Sequence, residues 1–191
     1  KTPLSVYYLL ITLLIMTNKK VALIIGAGDS LGSAVARVFS KNDFIAVVAR
    51  RNGDQLNPLK EEIEKNGGQC FAFSLDARKE QDVINFIDKI ESEIGEINVA
   101  VYNIGANIRF NILETTSKKY YKVWEMATFG AFLMGREVAR KMMPRKRGTI
   151  IFTGATASIR GKEGFAAFSG AKQAKRALAQ SMAKELAPKG I

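Results

Sequence analysis

From Lys20 onward, short apolar runs alternate with longer amphipathic stretches, and this alternation restricts the possible fold more than any other feature of the sequence. The apolar runs, which predict strands, cover 21–26, 44–49, 70–75, 97–103 and 149–153. Helix patterns lie between them, and the last two predicted helices cover about 117–143 and 164–186. Such an alternation forms a parallel sheet with right-handed crossovers. The sequence therefore predicts an α/β fold with a doubly wound, Rossmann-type parallel sheet and helices on both of its faces.

Both ends of the chain depart from this pattern. The apolar run 4–16 is shorter than the roughly 18 residues expected of a membrane-spanning helix. We expect residues 1–15 to be an extension outside the fold, Met16 to be the natural start, and residues 16–191 to form the domain; a membrane anchor is the alternative. The final segment APKGI has the pattern of a helix end followed by the start of another strand. The sheet is thus expected to lack its last strands.

Composition excludes several kinds of chemistry. The chain has no histidine, which excludes Ser-His-Asp and Cys-His nucleophile systems and His-ligated metal sites, and no metal site is predicted. The single Cys70 lies in the apolar run QCFAFSL, so we expect a buried thiol in a reducing, cytoplasmic setting. The net charge of +11 raises the possibility of a nucleic-acid or acidic-membrane partner. No nucleic-acid-binding motif accompanies the basic run 136–148, and we interpret that run as a solvated helix end.

A glycine-containing segment, GAGDSLG, lies between the first predicted strand and the first predicted helix. Glycine permits a tight turn and a close backbone approach, and the free N–H groups at a helix start bind phosphate. We predict that this segment binds the pyrophosphate of a dinucleotide through Gly26, Gly28, Asp29, Ser30, Leu31 and Gly32. Asp29 and Ser30 are also candidates for capping the helix.

Two arginines, Arg50 and Arg51, end the second predicted strand, 18 and 19 residues beyond Gly32. A carboxylate at this place would bind the ribose diol of NAD, whereas a guanidinium matches the 2′-phosphate of NADP. The sequence therefore favours NADP(H) over NAD(H). Two exposed arginines at a strand end are the alternative interpretation.

Taken in order and spacing, these motifs resemble the short-chain dehydrogenase/reductase family over residues 20–191. The family's glycine motif TGxxxGxG is present as IGAGDSLG, its adenine-contacting Asp falls in LDAR, and its NNAG motif is present as YNIG. The cofactor-binding positions carried over from these motifs are Gly26, Gly32, Asp76 with the following Ala77, Asn103 and Gly105. The resemblance implies a nicotinamide cofactor, two more strands beyond Ile191, and a homo-oligomer built through the last two helices.

The resemblance also implies a catalytic Asn, Ser, Tyr and Lys, of which only the Lys is kept. The four positions fall on Ala127, Ala155, Phe168 and Lys172. Phe and Ala side chains carry no ionisable or hydrogen-bonding atom, so Phe168 cannot pass a proton. General acid–base catalysis contributes about 10²–10⁴-fold to a rate. Lys172 can still bind the ribose of the cofactor.

Two principal functions remain open from the sequence. The first is an atypical NADP-dependent oxidoreductase acting on a carbonyl or alcohol, with the proton supplied by water, the substrate or another side chain. The second is an NADP(H)-binding protein without turnover, and a basic nucleic-acid or membrane binder is a third. The first is favoured because the cofactor-binding features are kept. Arg109, just after the fourth predicted strand, is a candidate for binding an anionic substrate, with an exposed loop arginine as the alternative.

Overall fold

The structure is a computed structural model and describes residues 20–191. Its five strands form one parallel sheet in the order β3-β2-β1-β4-β5. They are β1 (Lys20–Ile25), β2 (Ile45–Arg50), β3 (Gln69–Ser74), β4 (Glu96–Tyr102) and β5 (Thr149–Phe152). Every strand begins and ends within one residue of its predicted bounds, so the predicted fold class is confirmed. The expectations for residues 1–15 and Met16 lie outside the described residues.

Six α-helices connect and follow these strands. They are α1 (Leu31–Ser40), α2 (Asn57–Lys65), α3 (Glu80–Glu93), α4 (Ser117–Trp124), α5 (Gly130–Met142) and α6 (Ala166–Leu186). The predicted helix 117–143 is interrupted, because a π-helical segment, Glu125–Phe129, joins α4 to α5. Such π segments are rare and are often found at functional sites. In this chain the segment contains Ala127, one of the four predicted catalytic positions.

The two faces of the sheet are covered by different helices. Val21, Leu23 and Ile25 of β1 belong to the core under α3 and α5, whereas Ala22 and Ile24 belong to the core under α1 and α2. All five side chains are fully buried, as expected of a central strand in a parallel sheet. The α6 helix packs beside α4, α5 and β5. This doubly wound arrangement brings the loops after β1, β4 and β5 to one edge of the sheet.

The thiol of Cys70 lies in β3 and is 2% exposed. Burial raises its pKa to about 12, so it is a protonated, unreactive thiol at neutral pH. The sequence prediction of a buried structural thiol is confirmed. Every helix within residues 20–191 is too short or too polar to span a membrane.

Candidate functional site

The loops after β1 and β4 are tied together at the carboxyl edge of the sheet. Asn103 donates from Nδ2 to the carbonyl oxygen of Gly26 (3.0 Å) and from its backbone N–H to the carbonyl oxygen of Ile25 (2.8 Å). Gly26 has φ +88°, and a Cβ there would lie 2.8 Å from the backbone nitrogen of Ile104. Only glycine fits this position, because the left-handed backbone and the close approach both exclude a side chain. Gly26 and Asn103 therefore lie together between β1 and β4, where the strand order changes sides, with β2 and β3 on one side of β1 and β4 and β5 on the other.

The loop 26–30 leads directly into the N-terminus of α1. A Cβ on Gly32 would lie 2.6 Å from the Cα of Ala27, so the helix begins tight against the loop. Ser33 fixes this geometry by donating from Oγ to the carbonyl oxygen of Gly28 at 2.5 Å. A Cβ on Gly28 would meet no atom within 4 Å, so the backbone there faces open space. The loop and the first N–H groups of α1, which begins at Leu31, form a cradle suited to phosphate.

The predicted capping role of Ser30 is wrong. Ser30 occupies the cap position of α1, but its hydroxyl makes no capping hydrogen bond. Asp29 is exposed and lies with Oδ1 3.6 Å from Nη1 of Arg50. The turn before α1 is instead closed by Ser33, whose backbone N–H and hydroxyl both donate to the carbonyl oxygen of Gly28.

Arg50 ends β2 beside the glycine loop, as predicted, and its side chain is 30% exposed. Arg51 follows it and is exposed. The Asp29 carboxylate that pairs with Arg50 is 96% exposed. A ligand phosphate at Arg50 would therefore compete with Asp29 for the guanidinium, a contact that the sequence motif did not reveal.

Asp76, at the adenine position of the resemblance, is held by a neighbour. Arg78 donates from Nε and Nη2 to the two carboxylate oxygens of Asp76 at 2.8 and 2.6 Å. These hydrogen bonds hold the pKa of Asp76 below its usual range. Arg78 also lies 3.6 Å from a carboxylate oxygen of Glu125, in the π segment. Ala77, which follows Asp76, is buried.

Lys172 of α6 joins the loops after β4 and β5. Its side chain is 4% exposed, and Nζ donates to the carbonyl oxygen of Thr153 at 2.9 Å. A Cβ on Gly105 would lie 3.8 Å from Nζ, so the glycine leaves room beside the amine. Burial lowers the pKa of Lys172. The lysine is thus a placed group at the carboxyl edge and not a solvated helix lysine.

The other three catalytic positions of the resemblance do not share one environment. Ala127 is fully buried and Phe168 is 8% exposed, and both belong to one apolar cluster. The buried members of that cluster are Ala106, Val123, Ala127, Ala167, Phe168 and Ala171. Ala155 lies after β5, is exposed and is outside the cluster. An apolar contact surface therefore stands where two of the polar groups would be.

Two further residues, Lys175 and Tyr102, lie close to this site, and Lys175 was not found from the sequence. Lys175 is 1% exposed, and its Nζ donates to the carbonyl oxygen of Ile104 at 3.4 Å. Tyr102 is fully buried, its hydroxyl donates to the carbonyl oxygen of Met126 at 2.7 Å, and its ring centroid lies 5.5 Å from Nζ of Lys175. The available signal was the spacing of three residues from Lys172 to Lys175, which places both on one helix face.

Arg109 lies in the loop after β4, as predicted, with a side chain that is 68% exposed. Its Nη2 atom is 3.6 Å from a carboxylate oxygen of Glu163. Gly164, at φ +76°, approaches the Arg109 side chain, and its carbonyl oxygen accepts from the N–H of Phe110 (2.8 Å). An anionic substrate at Arg109 would have to compete with Glu163. Within residues 20–191 no cluster of acidic and cysteine side chains is arranged to hold a metal ion.

Comparison with known proteins finds a matching family model and similar solved structures. Residues 20–191 match the family model described as short chain dehydrogenase. A crystal structure of a short-chain dehydrogenase from Rhodopseudomonas palustris is 50% identical, covers 91% of this chain and 81% of that chain, and superposes with a TM-score of 0.87.

Two more distant proteins are also similar. The 3-oxoacyl-[acyl-carrier-protein] reductase of Bos taurus is 27% identical over 172 residues, which are 90% of this chain and 71% of that protein. An alcohol dehydrogenase from the archaeon Thermococcus sibiricus, complexed with 5-hydroxy-NADP, is 24% identical, covers 90% of this chain and 73% of that chain, and shares the fold with a TM-score of 0.83. The chain spans 60% to 71% of the length of seven such curated relatives.

Proposed function

Because the chain belongs to the short-chain dehydrogenase/reductase family, we propose that it is an oxidoreductase that binds NADP(H) and interconverts a carbonyl and an alcohol. The observation that carries the proposal is the position of Lys172. This lysine is buried, donates to Thr153 and lies beside Gly105, at the same sheet edge as the glycine loop. A helix lysine without a ligand role gains little from such burial, because desolvation disfavours its charge.

The residues at this edge of the sheet match the successive parts of a dinucleotide. The open backbone at Gly28 and the start of α1 would hold the pyrophosphate, and Arg50 the 2′-phosphate. Asp76 would lie at the adenine and Lys172 at the nicotinamide ribose. When bound and reduced, the nicotinamide supplies a hydride. The Thermococcus sibiricus enzyme of the same fold is complexed with an NADP derivative, which supports the cofactor class.

NADP(H) is favoured over NAD(H) because β2 ends in arginine and not in a carboxylate. The Asp29 pair reduces this preference, since it neutralises part of the Arg50 charge. Measuring the Kd of NADPH and NADH on the full-length protein tests the preference directly. We expect Arg50→Ala to weaken NADPH binding about tenfold or more and NADH binding much less, since a charged hydrogen bond contributes about 1.5–3 kcal/mol. Equal losses for both cofactors would contradict the assignment of Arg50 to the phosphate.

The cofactor site itself is tested through Lys172. Lys172→Met keeps most of the side-chain volume and removes the amine, and we expect the Kd of NADPH to rise about tenfold. Lys184→Met is the matched control, because Lys184 is an exposed lysine on the same helix. If NADPH does not bind the unmodified protein, the proposed function is wrong.

The proton in this reaction takes a route that differs from the family pattern. Ala127, Ala155 and Phe168 have no side-chain group that can donate a proton. We propose that water, the substrate or another side chain supplies it. A panel of ketones and aldehydes with NADPH, followed at 340 nm, measures turnover by the unmodified protein and by the variant with Ala127→Asn, Ala155→Ser and Phe168→Tyr.

A second function, NADP(H) binding without turnover, is favoured by the joint burial of Ala127 and Phe168 in one apolar cluster. Such packing places apolar side chains where the proton would be transferred. Turnover by the triple variant alone, with NADPH bound equally well by both proteins, would support this second function for the substrates tested. Turnover by the unmodified protein would exclude it.

We also propose that the protein is a homo-oligomer and resides in the cytoplasm. Tyr120, Tyr121 and Phe132 are exposed aromatic side chains on α4 and α5, the region that the family resemblance assigns to subunit contact. The lone thiol, Cys70, fits a reducing compartment. Light scattering coupled to size-exclusion chromatography measures the mass, and a monomer at 50 μM would contradict the oligomer.

A further inference from the structure

A threonine of the π segment is bound to the backbone of α6 directly beside Lys172. Thr128 is 7% exposed, and its hydroxyl donates from Oγ1 to the carbonyl oxygen of Ala171 at 2.7 Å. A buried hydroxyl is costly unless it is hydrogen-bonded, so this bond accounts for a polar side chain at a buried position. The accepting carbonyl belongs to the peptide group that joins Ala171 to Lys172. Thr128 therefore holds the backbone from which the Lys172 side chain begins.

The π turn that carries Thr128 is itself held in place. The N–H of Gly130 donates to the carbonyl oxygen of Glu125, five residues back, whereas in a regular α-helix it would donate to that of Met126. The Tyr102 hydroxyl donates to the carbonyl oxygen of Met126 at 2.7 Å. The π segment is thus tied to β4 through Met126 and to α6 through Thr128, two residues further on.

Lys172 is consequently anchored at both of its ends. Thr128 holds its backbone through Ala171. Its amine donates to the carbonyl oxygen of Thr153 at 2.9 Å and lies 5.6 Å from the centre of the Phe168 ring. Lysine carries its amine on a flexible four-carbon stem, so a shift of the helix backbone would move the amine or break its bond to Thr153. The place of the amine therefore depends on both anchors.

We propose that Thr128 is a positioning residue, which sets the place of Lys172 through the Ala171 carbonyl and thereby the affinity for the nicotinamide half of the cofactor. This role rests on the proposed function, in which Lys172 lies at the nicotinamide ribose. It gives the π segment a part in cofactor binding, although the neighbouring Ala127 offers no polar group.

The first test compares NADPH with adenosine 2′,5′-bisphosphate, which has the 2′-phosphate but lacks the nicotinamide ribose. Thr128→Val keeps the branched shape of the side chain and removes its hydroxyl. In the full-length protein we expect the Kd of NADPH to rise about threefold to tenfold, as for the loss of one hydrogen bond, and the Kd of the bisphosphate to change less than about twofold. Thr128→Ser keeps the hydroxyl and should recover most of the lost affinity.

Thr115→Val is the matched control for Thr128→Val. It also removes a threonine hydroxyl that donates to a backbone carbonyl oxygen, that of Asn111 at 2.8 Å, but in the loop after β4. The Kd of NADPH should stay within about twofold in this control. Unchanged NADPH binding in Thr128→Val, or equal weakening of both ligands, would overturn the positioning role.

A double-mutant cycle shows whether Thr128 acts through Lys172. In the Lys172→Met background there is no amine left to position, so Thr128→Val should add little to the loss of NADPH affinity. Losses that simply add would overturn the proposal, because Thr128 would then affect binding independently of Lys172. Thr128→Ala gives the same comparison if Thr128→Val does not fold.

The second test needs no cofactor. The full-length protein is labelled with ¹³C-lysine, and the Cε resonance of Lys172 is assigned by its loss in Lys172→Met. The nearby Phe168 ring makes this resonance sensitive to the position of the amine. We expect the resonance to move in Thr128→Val and to stay in place in Thr115→Val.

The two tests separate the positioning role from the proposed function. A Lys172 resonance that does not move in Thr128→Val would overturn the positioning role, whatever the cofactor does. A resonance that moves in a protein that does not bind NADPH would instead contradict the proposed function and leave Thr128 as the residue that places Lys172.

Discussion

Gly130 leaves the space that the Tyr102 hydroxyl fills, because a Cβ at residue 130 would overlap that oxygen and lie 2.8 Å from the carbonyl oxygen of Ala77. We therefore expect Gly130→Ala to lower the free energy of unfolding by about 1–3 kcal/mol, despite the helix propensity that Ala gains. Urea unfolding measures this loss. Tyr102→Phe in the Gly130→Ala background should cost less than the two single changes added together, since the overlapping atom is gone.

Gly161→Ala is the matched control for Gly130→Ala. A Cβ at Gly161 would meet no atom within 4 Å, so we expect a change within about 0.5 kcal/mol. Strict additivity of Gly130→Ala and Tyr102→Phe would show that the overlap is relieved by backbone movement and not by the tyrosine.

The central strands of the sheet were predictable from the sequence because they are buried on both faces and so read as continuous apolar runs. Val21 to Ile25 illustrate this, with every side chain fully buried. The glycine loop and Lys172 were predictable for a different reason, since a motif fixes their order along the chain. Their three-dimensional proximity then follows from the parallel topology.

The rest of the site depends on contacts distant in sequence. Lys175 looks like a solvated helix lysine until the loop after β4 places the Ile104 carbonyl over it. The π segment containing Ala127 has no distinct local pattern, because α and π turns use the same residue types. The motif spacing also gave no difference in burial between Ala127 and Ala155, although Ala127 is fully buried and Ala155 is exposed.

The pairing of Asp29 with Arg50 predicts an effect on cofactor affinity. Under the proposed function, Asp29→Asn removes a competing negative charge, so the Kd of NADPH should fall about threefold to fivefold, as expected for an exposed pair worth up to about 1 kcal/mol. The Kd of NADH should change less. Fluorescence titration at 0.05 M and 0.5 M NaCl measures both, and the gain should shrink at high salt.

Asp82→Asn makes the same charge change in the first turn of α3 and serves as the control for Asp29→Asn. A similar gain in that control would show that net charge, and not the Arg50 pair, sets the affinity. Weaker NADPH binding in Asp29→Asn would indicate that Asp29 orients Arg50 for the phosphate.

The Asp76–Arg78 pair predicts an acid-dependent loss of stability. Its hydrogen bonds lower the pKa of folded Asp76 below the unfolded value of about 3.9, so the pair stabilises fully above that pH and loses its effect as pH falls through the folded pKa. At pH 7 Arg78→Met should lower the free energy of unfolding by about 1–2 kcal/mol. At pH 2 the difference between the two proteins should be smaller.

Urea unfolding of both proteins between pH 2 and pH 7 measures that difference. Asp76→Asn is the control, because it removes the titrating group, and Arg78→Met added to it should show little dependence on pH. A constant effect of Arg78→Met across the range would mean that Arg78 stabilises through packing and its contact with Glu125.

The buried and exposed members of the altered catalytic set should respond differently when polar groups are restored. Ala127 is fully buried against Val123 and Phe168 in the apolar cluster, so the larger Asn side chain adds both volume and an unpaired amide. We expect Ala127→Asn to lower the free energy of unfolding by about 1–3 kcal/mol. Ala155 is exposed after β5, and Ala155→Ser should change the free energy of unfolding by less than about 0.5 kcal/mol.

Urea unfolding of the two single variants, with equal m-values as the check on two-state behaviour, tests this difference. An unchanged free energy of unfolding in Ala127→Asn would mean that the cluster supplies a hydrogen-bond partner for the amide. The fold would then accommodate the Asn of the family's catalytic set, although the apolar packing indicates that it does not. A large cost means that the π segment and α6 have become packed around an apolar contact. In that case restoring catalysis requires Phe168→Tyr together with room for the amide, and Lys172 remains the only polar group of the set already in place.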